Sequence, residues 1–72
     1  MKYKQFREYL TFYGISLKED KERLIVGLNY IEISKTEEHS ILFSIVSVEG
    51  LEELELIKKA IELAETPLRE RV

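Results

Sequence analysis

Few side chains in this sequence are equipped for chemistry. Its single histidine, His39, follows Glu37 and Glu38 in a polar stretch. A general base or a metal ligand needs partners that converge on one point. Neighbours on a turn diverge, so the sequence reads His39 as a solvated turn residue. Ser16, Ser34, Ser40, Ser44 and Ser47 offer hydroxyls, but none has a base in a context that would activate it. The pairs Glu37/Glu38 and Glu52/Glu53 fall on an expected turn and at an expected helix start, where carboxylates are solvated or favoured by the helix dipole. Cysteine is absent, which removes thiolate chemistry, disulfides and the usual structural zinc site. Gly14, Gly27 and Gly50 match neither a dinucleotide nor a P-loop spacing. No catalytic residue, metal or cofactor is expected, and the chain reads as a non-enzyme.

Binding chemistry is concentrated at the N-terminus. Lys2, Lys4 and Arg7 interleave with Tyr3, Phe6, Tyr9 and Tyr13, a pattern that suits single-stranded nucleic acid, where aromatics stack on bases. Arg69 and Arg71 could extend that basic set. The net charge of −3 weighs against it, because phosphate neutralisation dominates such affinity. The same aromatics also form the stripe that a core-packed helix requires. Nucleic-acid binding through Lys2, Lys4 and Arg7 is therefore the alternative reading. Phe12 lies off the stripe and is a candidate contact residue. Gly27, Asn29 and Ser44, grouped on one expected strand face, read as a bulge or a close approach more readily than as a ligand site.

Behind these residues stands an α-β-β-β-α pattern. Tyr3, Phe6, Leu10 and Tyr13 recur at helical spacing over 2–13, and Gly14 takes the position of a helix stop. A strand over 9–17 competes with that helix, since Tyr-Leu-Thr-Phe-Tyr has high β propensity. Residues 15–17 read as a short strand, 24–33 and 41–48 as long ones, with polar turns between them. Residues 51–65 read as a helix, opened by Glu52, Glu53 and Glu55 and stopped by Thr66-Pro67. The tail 67–72 either docks through Leu68 or frays. The expectation is a single α+β domain over 1–72, an antiparallel three-stranded meander flanked by an N-terminal and a C-terminal helix.

The most informative expectation concerns apolar surface. Pairing Tyr30 with Phe43, Leu28 with Ile45 and Val26 with Ser47 gathers one apolar face around Leu24, Val26 and Phe43. The opposite face carries Ile25, Ile31, Ile33, Leu42, Val46 and Val48, where a solvated antiparallel sheet should be polar. On the C-terminal helix, Leu54, Ile57, Ala60, Ile61, Ala64 and Leu68 fill one arc. Leu56 and Leu63 widen it to about half the circumference. These two look like an edge that meets another helix. Ile25, Ile31, Ile33, Leu42, Val46, Leu56, Leu63 and Phe12 are thus the expected protein interface.

Size supports this reading. A chain of 72 residues buries only about 60–65% of the surface its unfolded form exposes, and small cores usually need a disulfide, a metal or a second subunit. With the first two excluded, a homodimer or an accessory subunit of a larger complex is the expected function. No apolar run is long enough for a membrane span, and no secretory leader is visible after Met1. Absence of cysteine fits the cytoplasm. Abundant Glu and Lys with only Gln5 and Asn29 as amides resembles the composition of thermophile proteins.

Overall fold

The computed structural model describes residues 1–27, 30–44 and 50–72. The first helix, α1, spans Tyr3–Phe12, and its Phe6 and Leu10, four apart, are 0% and 1% exposed. Gly14 has a φ of +65°, the left-handed conformation that ends helices, and Ile15 N–H donates back to Leu10 O at 2.9 Å. Helix thus prevails over strand in this segment. The aromatic stripe supplies a buried face, and the glycine stops the helix before the β-prone residues that follow.

Four strands rather than three make up the sheet: β1 (Leu17–Glu19), β2 (Arg23–Val26), β3 (Ile31–Ser34) and β4 (Ile41–Phe43), antiparallel in that order. Asp20 forms the first turn by accepting from Glu22 N–H at 2.7 Å and Arg23 N–H at 2.9 Å. These two donors hold its carboxyl below the usual carboxylate range. The long strand expected over 24–33 is instead two strands. Gly27 adopts a φ of +67°, and Tyr30 N–H donates to Val26 O at 3.1 Å, closing a turn.

That turn shifts the register. Ile31, not Tyr30, stands opposite Phe43, and Leu24 pairs with Ile33. The expected pairs Leu28–Ile45 and Val26–Ser47 involve residues outside the described ones. Because side chains alternate between faces, one face carries Leu17, Leu24, Val26, Ile31, Ile33, Ile41 and Phe43, with Glu19 at its corner. The other carries Lys18, Arg23, Ile25, Glu32, Ser34 and Leu42.

The second helix, α2, spans Leu51–Glu65, as its periodicity predicts. It buries Leu56, Ala60, Leu63 and Ala64 in one cluster with Phe6 and Leu10 of α1 and with Leu24, Val26, Ile31 and Ile33 of the sheet. Both helices therefore lie on the same sheet face. After Pro67 a 3-10 turn, Leu68–Glu70, leads to Arg71, which is 0% exposed. Its guanidinium donates to Thr66 O (2.8 Å), Ser34 O (2.7 Å) and Ala64 O (3.1 Å). Arg71, rather than Leu68, anchors the tail and satisfies carbonyls at the end of α2.

Candidate protein-interaction surface

The sheet ends in two unlike margins. At β1, Lys18 and Glu19 place charges beside the free backbone, and Glu19 accepts a forked pair from Arg7 of α1, its Nε at 3.2 Å, together with Lys35 Nζ at 3.2 Å. The Arg7 hydrogen bond is the main reason that the Glu19 carboxyl is held below the usual carboxylate range. The same bond raises the Arg7 guanidinium. Charged residues of this kind protect an edge strand from pairing with another chain.

Among the described residues the β4 margin has no such protection. Ile41-Leu42-Phe43 is flanked by Ser40 and Ser44, with no charge, Pro or Gly. Ser34 N–H donates to Ser40 O at 3.2 Å and Ser44 N–H to Tyr30 O at 3.0 Å. In an antiparallel ladder these bonds recur at every second residue. Leu42, opposite Glu32, therefore directs its amide and carbonyl at β3, whereas those of Ile41 and Phe43 point outward. Among the described residues they meet no partner. The Leu42 side chain, on the open face, is 60% exposed and Phe43, on the helix side, 37%.

A second apolar strip runs along α2. Leu54, Ile57 and Ile61 recur at helical spacing, with Leu54 45% and Ile61 36% exposed and Ile57 half-buried. Glu52 and Glu55 mark the flank nearest α1, since both act on Tyr9, whose hydroxyl pKa is raised mainly by burial and next by Glu55. At 100° per residue, Leu54, Ile57 and Ile61 lie on the flank turned away from α1. His39 N–H donates to Ala64 O at 3.1 Å, so the C-terminal end of α2 lies at the β3–β4 turn and α2 runs antiparallel to β4. α2 packs on β3, and α1 reaches β1 through Arg7 and Glu19, so the flank of α2 turned from α1 is the one on the β4 side.

The expected interface residues separate into groups. Leu42 lies at the open margin, 60% exposed, and Ile25 lies half-buried on the open face between Lys18 and Glu32. Ile31, Ile33 and Leu63 are 0% exposed and Leu56 is 6%, so they belong to the core within one chain. The register set by Gly27 turns the two isoleucines inward, and α1 and the sheet cover the two leucines. Val46 lies outside the described residues. Phe12 is 82% exposed but sits on α1, stacked edge-on against Tyr13 with ring centroids 4.9 Å apart, away from β4. Leu54 and Ile61, members of the expected apolar arc, are its exposed part. The open face is also more polar than expected, with Arg23 and Glu32 paired at 3.3 Å beside a shallow groove of about 520 Å³.

The basic residues form a different arrangement. Arg7, Lys35 and Arg71 surround the Tyr3 ring at 5.6, 5.8 and 5.9 Å. Glu19 holds Arg7 and Lys35, and backbone carbonyls hold Arg71. Lys2 reaches Val72 O at 3.1 Å, and Lys4 stands 4.0 Å from Glu8 on exposed surface. His39 sits in the left-handed region at φ 58°, as some turn residues do. Among the described residues no cluster of three or more His, Cys, Asp or Glu is placed to hold a metal ion. Of the Gly27, Asn29 and Ser44 group, Gly27 serves a turn and Asn29 lies outside the described residues. Among those residues no helix is long and apolar enough to cross a membrane.

Among the described residues, fold and surface define a two-layer α+β arrangement whose β4 margin carries no charge. Comparison of the chain with protein-family models, curated proteins and solved structures finds no match.

Proposed function

We propose that this chain is a non-enzymatic protein-interaction module, a homodimer or a small accessory subunit of a larger complex. The observation that carries this reading is the adjacency of an uncharged, open strand edge at β4 to the exposed Leu54–Ile61 strip of α2. Strand addition to an open edge gives affinity through the main chain, and nearby apolar pockets give specificity. Nothing in the geometry favours nucleic acid. Of the basic residues expected to bind, Arg7 is engaged by Glu19 and Arg71 is buried, which leaves Lys2, Lys4 and Arg69 accessible on an acidic chain.

Equilibrium sedimentation from micromolar to millimolar concentration, paired with affinity capture from native lysate, tests the reading. The wild-type chain is expected to self-associate or to retain a partner, and Leu42→Lys to weaken whichever contact forms. A strictly monomeric wild type that captures nothing would overturn it.

A further inference from the structure

We propose that the partner is a second copy of this chain, joined about a two-fold axis that passes beside Leu42 and pairs β4 with its symmetry mate. This rests on the reading above and specifies its occupant.

The first argument is the ladder. The outward amides and carbonyls belong to Ile41 and Phe43, on either side of Leu42. An antiparallel copy centred on Leu42 puts Ile41 of each chain opposite Phe43 of the other. The two N–H and two C=O groups that each chain presents are then satisfied. The side-chain pairing is that of an aromatic with a β-branched residue, a favourable cross-strand combination. The segment carries no charge to be buried, so a chain of net charge −3 joins at a neutral strip.

The second argument is independent and selects the same axis. From the His39–Ala64 contact to Leu42 is three strand residues, roughly 10 Å at about 3.3 Å each. Along α2 that distance is about seven residues at about 1.5 Å each, which reaches Ile57. Leu54 and Ile61 lie on either side of that level, so the strip is centred where the axis passes. Two-fold rotation sets α2 antiparallel to its mate, with Leu54 of one chain near Ile61 of the other. A three-residue strand edge alone offers too little area, since a stable pair takes about 1,200–2,000 Å². The α2 strip supplies the second patch, closed by the same rotation. A surface that is self-complementary in two places about one axis marks an isologous contact.

The test uses the absence of native cysteine. Across the axis Leu42 faces Leu42 of the mate as a non-hydrogen-bonded pair, whose Cα atoms stand about 4.5 Å apart, within disulfide reach. Under mild oxidation L42C is expected to form a disulfide-linked dimer at least tenfold faster than K18C on the opposite margin. In sedimentation velocity from micromolar to millimolar concentration, wild type is expected to shift from one mass to two. Leu54→Glu and Ile61→Glu, at exposed positions, should each raise the dissociation constant about tenfold or more with unchanged circular dichroism.

Equal crosslinking of L42C and K18C, a dimer indifferent to Leu54→Glu and Ile61→Glu, or a monomer at millimolar concentration would each overturn the inference. A wild type that stays monomeric yet captures another protein would overturn it while sparing the broader reading. If a glutamate variant unfolds, L42C crosslinking decides alone.

Discussion

The Arg71 guanidinium is enclosed in the fold and bonded to three carbonyl oxygens from Ser34, Ala64 and Thr66. It joins the β3 end, the α2 end and the tail at one point, and the Tyr3 ring lies alongside. Shortening it strands those acceptors and opens a void. Arg71→Ala is expected to cost about 3 kcal/mol, on the scale of losing hydrogen bonds to a buried charge. Folding free energies amount to about 0.05–0.15 kcal/mol per residue, or about 4–11 kcal/mol for a chain of this length, so urea titration should show a markedly lowered midpoint. Arg71→Lys, with a point charge in place of a planar fork, should recover only part. None of this was legible in the sequence. Between Glu70 and Val72 an arginine looks like one more solvated charge, because its acceptors are backbone groups that sequence does not display. Phe12 was legible: its position off the helical stripe predicts the exposure seen.

Among the elements, the turn at Gly27 decides most. Its φ of +67° suits glycine, and an added Cβ would stand 3.2 Å from Tyr30 Cβ. Gly27→Ala should therefore destabilise the fold by about 1–2 kcal/mol, the penalty of an L-residue in the left-handed region. A guanidinium melt measures it, with Gly14→Ala, where an added Cβ meets nothing within 4 Å, as the less crowded comparison. In sequence, Val26-Gly27-Leu28 continues a β-branched run, so a lone glycine suggests a bulge and not a reversal. The reversal moves the register by one residue from the one a continuous strand would give and turns Ile31 and Ile33 to the core face. The helices were easier to read, since periodic apolar residues and stop signals lie close together in the chain. For α2 the width of the apolar arc was legible but not its orientation. That depends on where α1 packs, which is a tertiary fact. Leu56 and Leu63 accordingly exchanged roles with Leu54 and Ile61.

Over the whole molecule, Glu19 links the layers, joining β1 to Arg7 of α1 and to Lys35 beyond β3. Its carboxyl pKa is depressed on folding from an ordinary 4.5, chiefly by the Arg7 hydrogen bond. The stability it contributes is present above that ordinary value and is lost as pH falls through the lower, folded one. The partners are partly exposed, so the effect should be about 1 kcal/mol or less. Unfolding free energies of wild type and Glu19→Gln should converge under acid and separate toward neutrality. The layered α+β architecture was readable because alternating and helical patterns occupy separate segments. The contrast between the sheet margins was not, because it required the strand order. That contrast also bears on how far assembly can proceed. Strands that offer two bare flanks stack without end into fibres; here lysine and glutamate occupy one flank, so in the proposed dimer a single union uses up the other and growth halts at a pair.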